Sequence, residues 1–418
     1  MTRDPLSEES LRVAFFPDCY QEIDGVANTS RQYEAFAIRR GLPFLTVHGG
    51  DRDQVEGVGS ARRVQLKRGR IAFAFDKKHD FDLTLLRHCE AAEKAVREFN
   101  PDVVHVTGPN DVGILGTLIA HRLRVPLAAS WHTNLHQYAQ RRAESLLFWL
   151  PGRVAEFLGA SIRDASLRAT LRYYHIAEIL FAPNQELIQL LEKGTNKPCF
   201  LMQRGVDTVQ FDPARRDRSE SEFVIGYVGR LTVEKNVRLL ADLERELVRA
   251  GIVNFRFLIV GQGAEEPWLR ANLWRAELPG VLTGDALGRA YANMDTFVFP
   301  SRTDTYGNVV LEALASGVPA IVSDSGGPRF VIRPGENGFI AADLQGFVSR
   351  VRNLIQNPPL LAAMRTAARA QALSASWDAV FESVYAGYER GLRNGNLAGK
   401  KVRPRRPAGV CADAARLG

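Results

Sequence analysis

Two carboxylates and two cations stand just past apolar runs in the second half of the chain, where such side chains could hold a charged, hydroxyl-rich ligand. Asp304 and Glu312 lie eight residues apart in SRTDTYGNVVLEALASGVP (Ser301–Pro319), directly after the strand-like run TFVFP. Between them Tyr306, Gly307 and Asn308 lead into a helix-like segment, and the first N–H groups of a helix are free to meet an anion. One glycine-opened helix start can therefore grip a nucleotide sugar: amides on phosphate, Glu312 on ribose hydroxyls, Asp304 on another part of the ligand. The competing reading makes Asp304 or Thr305 an ordinary helix cap and Glu312 a surface residue.

The cations stand in GRLTVEKN (Gly229–Asn236), where Arg230 and Lys235 are five apart across an expected strand-to-helix turn. That pairing suits a diphosphate, with Arg binding bidentately and Lys acting as a point charge. A solvated pair with Glu234 as salt partner is the alternative, and such pairs contribute little. Gly261 and Gly263 in VGQG form a glycine-rich turn after a strand, which permits close backbone approach to a ligand. In the first half, His132 ends the apolar run PLAASWHT and leads into polar Thr133 and Asn134, which predicts that it faces a cleft. His105 and His121 read as structural. Gly25, in QEIDGVAN, offers either a backbone approach to substrate or an ordinary turn.

These residues need strand ends to carry them. Apolar runs alternate with amphipathic stretches along most of the chain, the pattern of parallel α/β sheets. The first half reads as strands Leu11–Asp18, Leu42–Val47, Asp102–Gly108, Pro126–Thr133, Glu178–Asn184 and Cys199–Asp207. Helical stretches fall between them, over about 26–40, 82–99, 111–123 and 138–174, and a small hairpin in Arg63–Phe73 turns near Gly69. The polar break FDPARRDRSESE then separates strands Phe223–Leu231, Phe255–Gly263, Val281–Gly284, Thr296–Ser301, Ala320–Asp324 and Gly338–Asp343. The expected architecture is two doubly wound Rossmann-like domains, residues 11–210 and 222–375, facing across a cleft. Ligands in such sheets sit beyond the carboxyl ends of the strands.

A chain of 418 residues exceeds one ordinary core, and 45% hydrophobic with 24% charged residues is the balance of a soluble globular protein. The net charge is +7, yet seven basic residues and one acid fall in 393–418, leaving about +1 for the rest. The folded body is thus near neutral, which argues against a nucleic-acid partner. The tail, rich in Gly, Pro and like charge, is expected to be disordered, with attraction to an anionic membrane surface as the sharper reading. Cys19, Cys89, Cys199 and Cys411 lack metal or redox spacing, which fits a reducing compartment. No apolar leader opens the chain and no apolar run is long enough for a bilayer. The expectation is a cytoplasmic protein, soluble or peripheral at the inner membrane face.

GRLTVEKN followed by the Asp304/Glu312 pair inside TYGNVVLEALASGVP, with DGVANT and SWHTN in the first half, resembles the retaining glycosyltransferases of family 4 with the GT-B fold. The resemblance covers roughly 11–392, and is greatest to bacterial mannosyl-, glucosyl- and sulfoquinovosyltransferases that build cell-envelope glycans or glycolipids. It implies that Arg230 and Lys235 hold the donor diphosphate as it leaves, Glu312 the ribose, and Asp304 the hydroxyls of the transferred sugar. It implies further that Tyr306, Gly307 and Asn308 contact sugar and phosphate through the backbone. By the same resemblance His132 contacts the sugar near the reacting carbon, and Gly25 lies between donor and acceptor. A last helix over 376–392 would cross back onto the first domain. Two departures stand out: Asp304 replaces the family's usual Glu, and Asp24 replaces a second glycine before Gly25.

The implied reaction moves a hexose of mannose or glucose type from a GDP- or UDP-sugar to a lipid or saccharide acceptor. Negative charge grows on the diphosphate, so catalysis is positioning plus electrostatic stabilisation. No cofactor and no metal are expected, because no Asp-x-Asp stands where one would be held. The alternative is a sugar-nucleotide-binding protein with epimerase-like chemistry or none. A phosphorylase would need a Schiff-base lysine, and a nicotinamide dehydrogenase a G-x-G-x-x-G after the first strand. Arg141, Arg142, Arg153, Arg163, Arg168 and Arg172, mixed with the apolar run Leu146–Leu150, suggest a basic amphipathic surface for a lipid-linked acceptor. Solvated helices packed on the domain explain the same residues. Donor base, acceptor and oligomeric state are not legible in the sequence.

Overall fold

The computed structural model describes residues 10–21, 25–69, 73–76, 79–132, 152–218 and 222–394. Asp24, Thr133, Asn134, Arg141, Arg142, the Leu146–Leu150 run and the basic tail beyond 394 lie outside them.

The first half builds an eight-stranded sheet from β1 (Val13–Phe16), β2 (Phe44–Gly50), β3 (Gln54–Val58), β4 (Ala61–Lys67), β7 (Val103–Val106), β8 (Leu127–Ser130), β9 (Ile179–Ala182) and β10 (Cys199–Leu201). A separate two-stranded ribbon pairs β5 (Phe73–Asp76) with β6 (His79–Phe81). The large sheet runs β10-β9-β8-β7-β1-β2-β4-β3 and is parallel except for β3. Helices α1 (Gly25–Arg39), α2 (Cys89–Phe99), α3 (Asp111–Leu123), α4 (Gly152–Tyr174) and α5 (Gln185–Thr195) connect and cover it. Successive residues of β1 serve opposite faces: Val13 and Phe15 pack in one core, Ala14 and Phe16 in the other. That is why the strand reads as a continuous apolar run.

The hairpin lies elsewhere than the expected turn near Gly69. Val58 pairs with Ala61 across the two-residue loop Gly59–Ser60, and Gly59 has φ +59°. A two-residue loop asks for this left-handed glycine, which matches the twist of the flanking strands.

The second sheet is wholly parallel, in the order β13-β12-β11-β14-β15-β16. Its strands are β11 (Phe223–Val228), β12 (Phe255–Val260), β13 (Ala276–Gly280), β14 (Thr296–Phe299), β15 (Ala320–Ser323) and β16 (Gly338–Ala341). Helices α6 (Leu239–Arg249), α7 (Glu266–Asn272), α8 (Gly284–Ala292), α9 (Asn308–Ala315), α10 (Leu344–Gln356) and α11 (Pro358–Ser374) cover its faces. The strand expected over Val281–Gly284 is a loop leading into α8. The true edge strand is the preceding AELPG, whose Pro279 an edge tolerates because one side needs no ladder donor.

The last helix, α12 (Trp377–Asn394), joins the first half's core: Phe381 stacks on Tyr33 at 4.4 Å, with Trp377 and Tyr388 in the same cluster. The connector before β11 is fastened to the second half. Asp295 pairs with Arg216 at 2.8 Å, with Arg218, and with Arg365 at 3.4 Å.

Candidate active site

In the second sheet the strand order reverses direction between β11 and β14, so the crevice of a doubly wound sheet opens at their carboxyl ends. Arg230 and Lys235 follow β11; Asp304 to Asn308 follow β14. The fold thus brings together two stretches some seventy residues apart, and Lys235 Nζ lies 2.6 Å from Asp304 Oδ1. The second oxygen, Asp304 Oδ2, is buried without a hydrogen-bond partner among the described residues. A buried acceptor left open costs free energy unless a ligand donor meets it.

Arg230 is half-exposed, 3.7 Å from Glu234, so the salt pair weighed from sequence is formed. The turn is not a helix start: Val233–Lys235 is a single 3-10 turn and α6 begins only at Leu239. The helix dipole acts from the other side. Gly307, at φ +91°, precedes Asn308 at the opening of α9, with no side chain capping the helix. Capping by Asp304 or Thr305 is therefore absent, and α9 presents its N-terminus to the crevice.

Gly261 and Gly263 are needed by the protein's own packing. A Cβ on Gly261 would overlap the Gly229 carbonyl, and one on Gly263 the Leu231 carbonyl. Gly229 and Leu231 donate to the carbonyls of Val260 and Gln262, both at 3.0 Å. The two turns lie on one another, and the glycines allow it.

Glu312 lies one turn into α9 and accepts from the Tyr291 hydroxyl at 2.8 Å. It is no solvated surface residue: burial pushes its carboxyl up to about 7, with the Tyr291 hydrogen bond opposing.

His132 stands past β8 and is buried. Its Nδ1 accepts from Arg204 at 2.6 Å, so Nε2 carries the proton and donates to Ser130 Oγ at 2.6 Å. Burial and the Arg204 charge hold it well below the usual imidazole range, hence neutral. Ser130 continues to His105 at 2.8 Å, and His105 to Tyr388 on α12. His105 is thus structural, and His121 is exposed on α3.

The two halves meet at these strand ends. Thr305 Oγ1 donates to the His132 carbonyl at 2.9 Å, and Asn184 Nδ2 to the Thr305 carbonyl at 2.8 Å. Gly25 opens α1 against Asn308, whose Nδ2 would stand 2.7 Å from a Cβ there. Arg204, Asn184 and Tyr291 escaped the sequence reading, and Thr305 entered it only as a candidate helix cap. Arg204 and Asn184 follow β10 and β9, so the strand-end rule would have flagged them; Tyr291 sits inside α8 and gave no signal. Among the described residues no group of three His, Cys, Asp or Glu side chains is arranged for a metal ion.

Residues 222–357 match the family described as Glycosyl transferases group 1, and residues 44–210 match Glycosyltransferase Family 4. A GDP-mannose-dependent alpha-mannosyltransferase of Mycolicibacterium smegmatis is 32% identical over 313 residues, covering 72% of this chain and 77% of that protein. A sulfoquinovosyl transferase of Arabidopsis thaliana is 29% identical over 404 residues, covering 90% and 73%. In architecture the chain resembles a sucrose-phosphate synthase from Thermosynechococcus elongatus, with TM-score 0.71, 17% identity and coverage of 92% and 100%. It also resembles Anabaena HepE, solved with UDP and glucose, with TM-score 0.64, 15% identity and coverage of 91% and 99%. With two parallel sheets meeting at their strand ends and both halves matching, the chain belongs to glycosyltransferase family 4, a GT-B hexosyltransferase that uses a nucleotide sugar.

Proposed function

We propose that this enzyme transfers mannose, with retention, from GDP-mannose to a hydroxyl of a lipid or saccharide acceptor. The observation that carries the site assignment is the Asp304 carboxylate, one oxygen on Lys235 and the other buried and open, beside an uncapped helix start. The mannosyl donor is favoured by the GDP-mannose-dependent relatives, three of which are 28–32% identical. A UDP-hexose is the second donor class, because Anabaena HepE, alike in architecture, is solved with UDP-glucose.

In this reading the donor diphosphate takes Lys235 from Asp304 and Arg230 from Glu234, and rests on the amides of Gly307 and Asn308. Asp304 then accepts from hydroxyls of the sugar, Glu312 from the ribose, and the Tyr306 backbone lines the sugar. The bond from the anomeric carbon to the diphosphate breaks, and the acceptor oxygen bonds to the same face while its proton passes to the departing phosphate oxygen. The cations stabilise charge that is greatest as the bond breaks. No side chain forms a covalent bond. His132, with both ring nitrogens engaged, acts as a fixed neutral wall beside the sugar, and Gly25 lets α1 approach α9.

Peripheral membrane contact is part of the proposal. No described helix is long and apolar enough to cross a membrane. Val154, Phe157, Arg168 and Arg172 share one exposed face of α4 by helical spacing, apolar at one end and basic at the other.

The test is a thermal-shift and hydrolysis screen against GDP- and UDP-sugars, with Arg230→Ala in parallel. GDP-mannose is expected to raise the Tm and be slowly hydrolysed, with hydrolysis lowered about 100-fold or more in the variant. Stabilisation by UDP-sugars alone would overturn the donor, and binding of none would overturn the site.

A further inference from the structure

The first half carries a second polar recess, of about 190 Å³, apart from the residues assigned to the donor. It lies beside the carboxyl end of β2 and is walled by β3 and β4. His48, near the carboxyl end of β2, stacks on Tyr20 at 4.4 Å, 17° from parallel. Gln54 and Glu56 come from β3, Arg63 and Gln65 from β4, and exposed Arg52 from the turn between β2 and β3. Among the described residues no aliphatic side chain lines it.

These walls are fixed from beneath. Glu34, buried on α1, receives Arg63, the Tyr20 hydroxyl and Thr46 Oγ1, the last at 2.8 Å. Burial pushes Glu34 up, but hydrogen bonds from Arg63, Tyr20 and Thr46 outweigh it and keep the carboxylate ionised. Arg63 also reaches Glu56 at 3.2 Å and lies over the Tyr20 ring. Gln65 is held by Gln21 at 2.9 Å and by Asp51 at 2.8 Å. A floor of rings under planar amides, a carboxylate and guanidinium groups offers stacking plus paired donors and acceptors. That is the chemistry of a hydroxylated ring; an acyl chain would find no aliphatic wall among the described residues.

The position relative to the donor is bounded by the chain. Gln21, at the recess, and Gly25 are four residues apart, so their Cα atoms lie within about 14 Å. Gly25 in turn meets Asn308 at the donor side of the crevice. We propose that this recess binds the acceptor, and that the acceptor group is a sugar or other polyol ring, free or carried on a lipid. The inference rests on the glycosyltransferase reading and narrows its acceptor class.

The experiment uses the full chain with GDP-mannose and three acceptor probes: methyl α-D-glucopyranoside, monoglucosyl-dioleoylglycerol in mixed micelles, and bare dioleoylglycerol. Transfer to either or both sugar-bearing probes and none to dioleoylglycerol is expected; which of the two is used separates a free from a lipid-borne sugar. Arg52→Ala and Gln54→Ala, both at accessible positions, should each raise the acceptor KM about tenfold while shifting the donor KM less than about twofold. Arg97→Ala, exposed on α2, is the control and should change neither. Efficient transfer to dioleoylglycerol, or an acceptor KM unmoved in both variants, overturns the assignment. Wild-type protein that neither hydrolyses nor transfers from any GDP- or UDP-sugar overturns the transferase reading itself and this inference with it.

Discussion

Glu312 has a raised carboxyl because α9 carries it inward, where one tyrosine hydroxyl replaces the water it would otherwise have. The folded pKa of about 7 exceeds the ordinary 4.5, so between those values the folded state holds a proton that the unfolded state has lost. Its contribution to stability is whole below the lower value, shrinks as pH rises, and is gone above about pH 7. Glu312→Gln should therefore raise the stability of the ligand-free protein at pH 8 by roughly 1–3 kcal/mol and leave it nearly unchanged at pH 4. Thermal melts across that range check this. GDP binding, which calls on the ionised form, should weaken from pH 8 to pH 6 in the wild type and be flat in the variant. A flat wild-type profile would sink the ribose assignment. The candidate residues could be nominated from sequence, because Arg230, Lys235, Asp304 and Glu312 all follow strand-like runs. That Lys235 sits on Asp304, or that Arg204 sets the tautomer of His132, was not legible there, since those facts are distances between chain segments far apart in sequence.

The turns after β11 and β12 act as one element. Each is extended past its strand, and Gly229, Leu231 and Glu265 hydrogen-bond across the gap to Val260, Gln262 and Leu231. Gly263→Ala would force the two apart, because its Cβ meets backbone that cannot rotate away. The expected cost is about 1–3 kcal/mol, with weaker GDP binding as the Arg230 loop shifts. Urea unfolding and calorimetric GDP titration measure the two effects; an unchanged GDP affinity would show that the loop moves independently of the site. Sequence reading found a glycine turn here, and the neighbouring turn packed against it was out of reach because a glycine reports that something comes near, and not what. The hairpin and the edge strand β13 were displaced for a related reason. Short polar strands at sheet edges are set by their neighbours more than by their own pattern.

At the scale of the molecule, the first half's core is completed by the last helix. Tyr33 on α1 stacks on Phe381 and donates to Tyr388 at 2.8 Å, closing the route from the chain end to His105 and Ser130 beside His132. Phe381→Ala should cost about 3–5 kcal/mol, measured by urea unfolding, because a fully buried ring leaves a cavity. A loss under about 1 kcal/mol would show that α12 is an appendage. The halves are also joined directly, through Thr305 with His132 and Asn184, and through Arg329 with Glu186 at 2.9 Å. The alternation of apolar runs and amphipathic stretches was enough, by sequence alone, to specify two parallel sheets, and the strand-end positions were enough to nominate the residues. Tertiary structure alone decided how they are arranged: which cation holds which carboxylate, that Glu312 is desolvated, that His132 has no free ring nitrogen, and that a polar recess opens beside Tyr20 and His48. Periodicity follows from each segment's need to bury one face, and so is local. Partnership, desolvation and cavities come from packing between segments, and exist only once the chain has folded.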